Sequence, residues 1–207
     1  MWGCIVPKIV DHEQRRRQLA DAVLRVIARR GGVAAVTNRE VAAESGWSTG
    51  ILQHYFKSQH DLLLAALRRA AELQGSVFRE LSRSEGSSLE KLERVLESVL
   101  PLDPERLALT SIFLFFYSEG VGNEVTRAEA ADYLAGWRRV IRRHVVAAQA
   151  DGLLPPGNPD LLTIHLVGLA DGVATHALLD PEILEQLQAE PRIVSTWVAS
   201  TWTLTTA

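Results

Sequence analysis

Apolar residues recur at steps of three and four along almost the whole chain of 207 residues, and this spacing is typical of α-helices that bury one face. Runs in which apolar and polar residues alternate, as in half-buried strands, are hard to find. Glycine, proline or clusters of polar residues separate the helical segments. The sequence therefore predicts an all-α protein of about nine or ten helices, with three short helices in front of a larger bundle.

Capping and breaking residues set the predicted helix ends. Thr37 precedes Glu40 by three residues, which is the pattern of a capping box, and Gly46 follows as a breaker. The predicted helices are about 12–30, 38–45, 49–55, 59–82, 89–100, 104–119, 124–151, 160–179, 182–189 and a last one from about 192.

Charge and cysteine content restrict the class of protein. Residues 1–70 carry 11 Lys and Arg against 6 Asp and Glu, whereas residues 71–207 carry 11 against 19. A basic first third suggests contact with nucleic acid or a membrane surface. The single cysteine, Cys4, excludes an internal disulfide and a cysteine-based zinc site. No apolar run looks long enough to span a bilayer and residues 1–10 lack a signal-peptide pattern, so we expect a cytoplasmic protein without a metal or cofactor.

The segment 37–55 has the pattern of a helix-turn-helix: a short helix, a turn containing glycine, and a second short helix. A tight turn needs a left-handed residue, which Gly46 supplies without a clash. We expect Val41, Ile51 and Leu52 to hold the two helices on the first. The second helix is polar on its outer side, so its side chains could reach base edges in the major groove of DNA.

The stretch TNREVAAESGWSTGILQHYFKSQHDLL, which begins at Thr37, is similar to the DNA-binding signature of the TetR family of transcriptional regulators. The run Ser48-Thr49-Gly50-Ile51 with His54-Tyr55-Phe56 resembles the subgroup that contains the choline-responsive betaine regulator. The resemblance implies a helix-turn-helix DNA-binding domain at 12–57, after an N-terminal extension at 1–11. It also implies a ligand-binding and dimerisation domain at 58–207.

The same resemblance implies a role for each residue of the signature. Thr37 and Tyr55 would bind phosphates and Lys57 would pair with one, whereas Gln53 is the best candidate for a base contact because a carboxamide pairs bidentately with adenine. His54 faces either the groove or a phosphate, and Arg39 either contacts the DNA backbone or caps helices. The predicted DNA-binding residues are Thr37, Arg39, Ser48, Thr49, Gly50, Gln53, His54, Tyr55 and Lys57.

An aromatic cluster in the middle of the bundle predicts a pocket or an interface. One narrow helix face cannot bury Phe113, Phe115, Phe116 and Tyr117 together, so some must meet a cavity or a partner chain. Pockets for small molecules are mostly apolar, and aromatic rings beside Glu119 could hold a quaternary ammonium group; an apolar effector is the alternative. The predicted ligand-binding residues are Phe113, Phe116, Tyr117, Trp137, Ile141 and His165.

The last helices predict a homodimer. Tryptophans near a chain end would be poorly buried in a monomer, and a two-fold four-helix interface would cover them. The predicted dimer residues are Leu161, Gly168, Leu169, Gly172, Trp197 and Trp202.

Together these features predict a ligand-responsive regulator, a repressor in particular, whose dimer binds a near-palindromic double-stranded DNA operator with its two heads about 34–36 Å apart. The helix 59–82 would couple a bound effector to the heads. One alternative is a DNA-binding adaptor without a small-molecule ligand. Another is a serine hydrolase, because Gly46–Gly50 also fits the GxSxG elbow with Ser48 as nucleophile; that elbow needs a preceding strand, where this chain predicts a helix.

Overall fold

The computed structural model describes residues 12–190 and 193–205, with side chains up to residue 200. These residues form ten α-helices and a short 3₁₀ turn at Val33–Ala35. The all-α prediction is confirmed, whereas the predicted N-terminal extension at 1–11 lies outside the described residues. The helices are α1 (His12–Arg30), α2 (Asn38–Ser45), α3 (Thr49–Tyr55), α4 (Gln59–Arg83), α5 (Ser88–Glu97), α6 (Pro104–Gly122), α7 (Glu124–Ala150), α8 (Pro159–Leu179), α9 (Pro181–Ala189) and α10 (Ile193–Thr205).

The front of the molecule is built on one hydrophobic core. Leu19, Val23 and Ile27 of α1 are fully buried there, and Leu52 anchors α3 against them. Each such side chain stabilises the fold by about 1.5–3 kcal/mol when it leaves water. The helix α6 also enters this core, because Phe116 is fully buried in the same cluster.

A second core holds the larger domain together. It joins α5, α7, α8 and α10 to the C-terminal half of α4, which contributes Phe78. Leu92 and Leu96 of α5 and Ile141 of α7 are fully buried in it. The prediction named α4 as the connection between the two domains. The structure adds α6 as a second connection, because its buried residues lie in the front core while the helix also packs on α7 of the larger domain.

The helix α8 differs from the prediction that no apolar run could span a bilayer. By length and composition it is long and apolar enough to do so; the polar residues that interrupt its apolar run are too few to lower its mean hydropathy below that of a membrane span. Its inner face packs into the second core through Leu166, Val167 and Ala170. Asp171 lies in the middle of the helix, where a charge is costly in lipid, so one such helix is weak evidence for a membrane.

Candidate DNA-binding surface and effector cavity

The turn between α2 and α3 has the tight geometry that the sequence predicts. Gly46 adopts φ 73° and ψ 15°, in the left-handed region, and its N–H donates to the carbonyl of Ala42. The N–H of Trp47 donates to the same carbonyl at 3.1 Å. A side chain with a Cβ is strained in this conformation, so glycine sets the angle at which α3 leaves α2.

Side-chain caps fix the start of each of the two helices. Thr37 Oγ1 accepts from the N–H of Glu40 at 3.2 Å, and Ser48 Oγ accepts from the N–H of Ile51 at 3.3 Å. The predicted capping box at Thr37 is only half present. The Glu40 carboxylate pairs instead with Arg29 and Arg30 of α1, at 3.4 and 3.3 Å.

The charges of the front domain are largely paired with one another. Arg25 Nε lies 2.8 Å from Glu44, and Arg29 Nη1 lies 3.0 Å from the same carboxylate. Within the described residues, no ion pair involves Arg39 or Lys57, which are both exposed. These ion pairs leave the net excess of basic residues in the first third unchanged, but they commit Arg25, Arg29 and Arg30 to contacts within the fold.

The outer face of α3 is exposed. Leu52 is 1% exposed and holds the helix on the core, whereas Ile51 is 38% exposed, so the expectation that Ile51 anchors the helix is wrong. A Cβ placed on Gly50 would meet only Ser48 Oγ, at 3.8 Å, so the fold itself does not require glycine there. Tyr55 is half-buried, and the other predicted DNA-binding residues are all exposed: Thr37, Arg39, Ser48, Thr49, Gly50, Gln53, His54 and Lys57.

The N-terminal turns of α1 support α3 through contacts that the sequence pattern does not indicate. Arg16 Nη1 donates to the carbonyl of Tyr55 at 2.6 Å, and its guanidinium lies 4.5 Å from the centre of the Phe56 ring. The Arg15 guanidinium lies 5.4 Å from the centre of the Trp47 ring. These cation–π and hydrogen-bond contacts hold both ends of α3 in place.

Gln59, at the start of α4, has a structural role. Its Nε2 donates to the carbonyl of Val36 at 2.6 Å. This hydrogen bond joins the start of α4 to the residue just before the cap of α2. The side chain is therefore committed to the fold.

A cavity of about 340 Å³ lies between α4, α6, α7 and α8. Five of the sixteen residues that line it are aromatic. The rings of Phe78 and Trp137 are stacked with centroids 5.1 Å apart, and the Phe113 ring lies 6.2 Å from Tyr133 and 6.3 Å from Tyr117. Apolar walls with a few polar groups are typical of sites for small molecules.

The structure places the six predicted ligand-binding residues in three different environments. Phe113, Tyr117 and Trp137 line the cavity. Phe116 and Ile141 are fully buried in the two cores and are not among the residues that line the cavity. His165 is exposed on the outer face of α8, so the prediction for these three is corrected.

The acidic group inside the cavity is also different from the expected one. Glu119 pairs with His60, with Oε2 3.6 Å from Nδ1, and it is not among the residues that line the cavity. Asp171 of α8 lines it instead, and burial raises the pKa of this carboxyl group to about 6. Burial, and next the charge of Asp171, raises the pKa of Tyr117 well above its usual value.

The outer face of α8 is an exposed apolar stripe. Leu161 and Ile164 are each 56% exposed and Leu169 is 39% exposed. A Cβ on Gly168 or Gly172 would have no heavy atom within 4 Å, so this face has room for another surface. Four of the six predicted dimer residues lie on this stripe: Leu161, Gly168, Leu169 and Gly172.

The two tryptophans named for the dimer interface are placed differently. Trp197 is half-buried against the second core of its own chain, which corrects the expectation that a monomer cannot cover it. Trp202 belongs to α10, but its side chain lies outside the part of the chain that the structure describes.

The helix α3 exposes its polar face and is anchored on the front core, and the larger helical domain encloses a cavity. This combination is typical of a helix-turn-helix regulator. The model of the N-terminal region of bacterial regulatory proteins of the tetR family matches residues 19–66. The model of the C-terminal region of BetI-type transcriptional repressors matches residues 88–203. The chain belongs to the TetR family of transcriptional regulators.

Individual relatives agree with this assignment. The HTH-type transcriptional regulator PksA of Bacillus subtilis is 30% identical over 177 residues, which cover 85% of this chain and 84% of that protein. The HTH-type transcriptional regulator BetI of Agrobacterium fabrum is 30% identical over 169 residues, 81% of this chain and 79% of that protein. A solved transcriptional regulator from Saccharomonospora viridis, in complex with choline, has a TM-score of 0.71 and 25% identity, and covers 86% of this chain and 95% of its own.

These relatives are transcriptional regulators, so the chain is not an enzyme and the hydrolase alternative is ruled out. The structure gives the physical reason. Ser48 caps a helix and follows another helix, α2, whereas the nucleophile elbow needs a strand before the serine.

Proposed function

We propose that this protein is a repressor that binds a near-palindromic operator as a homodimer and leaves it when a small molecule occupies the cavity. The observation that carries this proposal is the exposed polar face of α3, fixed at both ends by caps and by the contacts of α1. Binding to operator DNA would place the protein in the bacterial cytoplasm.

Each head would read one half-site with α3 in the major groove. Gln53 would contact a base, and the exposed Ile51 adds a candidate for apolar contact with a thymine methyl group. Thr37, Tyr55 and Lys57 would contact phosphates. Arg39 and Lys57 are exposed cations near α3, and neither forms an ion pair within the described residues. With one phosphate bound by each of them, two heads would neutralise about four phosphates, and the logarithm of affinity would fall with the logarithm of salt with a slope of about −4.

The stripe on α8 would form the dimer interface. An isologous interface brings the same patch of each subunit together, and Gly168 and Gly172 would let the two copies of α8 approach closely. The interface would remove Leu161 and Ile164, which are each 56% exposed, from water. A second copy of the chain would thus cover most of the apolar surface of α8.

The effector would be a small molecule with a cationic head of the choline type. Five aromatic side chains line the cavity, and the neighbour from Saccharomonospora viridis is in complex with choline. Both α4 and α6 run from the front core to the cavity, so a change in their packing would alter the distance between the heads. The effector must bind the released state more tightly, since equal affinity for both states shifts nothing.

Selection of bound sequences from random DNA duplexes tests this function. We expect enrichment of a near-palindrome whose half-sites are separated by about one turn of DNA. Repeating the selection with choline present should reduce the enrichment. Failure to enrich any sequence, with folded protein at low salt, would contradict the proposed function; enrichment that no small molecule reduces would favour the adaptor alternative.

A further inference from the structure

Among the residues that the structure describes, Asp171 is the only acidic residue of the cavity lining that is not exposed, and it is half-buried. It lies on α8, and α4 faces it with Ala71, Gln74, Gly75 and Phe78, none of which is charged. The remaining charged residues of the lining are Asp132 and Arg139 of α7, and both are exposed at the rim.

No donor or cation of the described chain partners the Asp171 carboxylate. It forms no ion pair within 4.0 Å, and apart from the backbone bonds of α8, the hydrogen bond given for this residue is one that its carbonyl accepts from the Thr175 hydroxyl, at 2.7 Å. Arg138 lies near enough for its charge to act on Tyr117, yet burial accounts for the raised pKa of Asp171 without any contribution from an arginine. A carboxylate that is removed from water in this way is normally paired or binds a cation.

The walls around Asp171 favour a cation as well. The faces of Phe78, Phe113, Tyr117, Tyr133 and Trp137 carry the negative part of each ring's charge distribution, and this attracts an ammonium group within about 6 Å. A quaternary or tertiary ammonium group has little hydrogen-bonding capacity, so a carboxylate and ring faces suit it better than a set of fixed donors and acceptors would.

We infer that Asp171 is the counter-ion of the effector and makes the cavity select a monovalent organic cation over a neutral or anionic molecule of the same shape. This inference rests on the proposed function, because it assigns charge selectivity to the same cavity. The residue is a specificity determinant, and the aromatic walls supply shape and most of the apolar contact.

The test compares choline with 3,3-dimethyl-1-butanol, in which carbon replaces the charged nitrogen. Isothermal titration at pH 7.5 would measure both affinities for the wild type, Asp171→Asn, and the rim control Asp132→Asn. We expect the wild type to bind choline at least about tenfold more tightly than the neutral alcohol. In Asp171→Asn the affinity for choline should fall about tenfold, whereas the affinity for the alcohol should stay unchanged. In Asp132→Asn choline should still bind more tightly than the alcohol by about the wild-type factor.

Other results would overturn the inference. Equal affinities for the two molecules in the wild type would show that the cavity does not select charge, and no binding of either would exclude this class of effector. A loss of both affinities in Asp171→Asn would indicate a structural role. Operator binding by the same samples separates the two proposals, because it depends on α3 and is expected to survive in both variants.

Discussion

Replacement of Asp171 by asparagine should stabilise the protein at neutral pH. The carboxyl group has an ordinary pKa of 3.8, which burial raises to about 6 in the folded chain. Between these values the unfolded state binds fewer protons than the folded state, so the free energy of unfolding falls as pH rises, and the loss is complete above about pH 6. At 1.36 kcal/mol per pH unit the full loss is about 3 kcal/mol. Asparagine does not ionise, so the variant avoids this loss of stability.

Urea unfolding of the wild type and Asp171→Asn at equal protein concentration would measure this effect. We expect the variant to be more stable by about 3 kcal/mol at pH 7.5 and by about half as much at pH 5. At pH 5 the carboxyl group is ionised in the unfolded chain but still mostly protonated in the folded chain, so only part of the loss in stability has occurred. The exposed Asp132→Asn should differ from wild type by less than about 0.5 kcal/mol. A variant that is no more stable than wild type at pH 7.5, or whose advantage does not shrink at pH 5, would refute the reasoning.

Three further changes have expected outcomes. Gly46→Ala should destabilise the chain by about 1–2 kcal/mol, because alanine is strained at φ 73°; unchanged urea midpoints would count against the role of this turn. Gln59→Ala should lower stability by about 1 kcal/mol through loss of the bond to Val36, again by urea unfolding. Leu161→Glu should shift the protein from dimer to monomer in sedimentation and weaken operator binding. The control Val121→Glu changes a residue of α6 that is 80% exposed and should leave the dimer intact. If both variants stay dimeric, α8 does not form the interface.

The helices could be predicted because their ends depend on local chemistry. Ser58, Asp103 and Asn158 each cap a helix with their own side chain, and such caps are visible in the sequence. The turn at Gly46 could be predicted for the same reason. The partner of Glu40 could not, because the pairing with Arg29 and Arg30 depends on how α2 packs across α1.

The cavity was predicted less well, because apolar residues surround both α6 and α8. On such a helix the sequence pattern does not indicate which face is buried. Phe113 and Phe116 therefore looked equivalent, although one lines the cavity and the other fills the front core. Asp171 did carry a signal, namely a lone acid inside an apolar helix, and this signal could have pointed to the cavity before the structure did.

The central claim is that α3 reads DNA bases through Gln53 while Lys57 contacts the phosphate backbone. The most direct measurement is the relative affinity of wild type, Gln53→Ala and Lys57→Ala for every single-base variant of the selected duplex. The account predicts that Gln53→Ala loses about 1–3 kcal/mol of discrimination at one position of each half-site. It also predicts that Lys57→Ala weakens all duplexes alike and makes the salt slope shallower by about one for each subunit. Uniform weakening by both variants, with every base preference intact, would contradict the assignment of α3 as the reading helix.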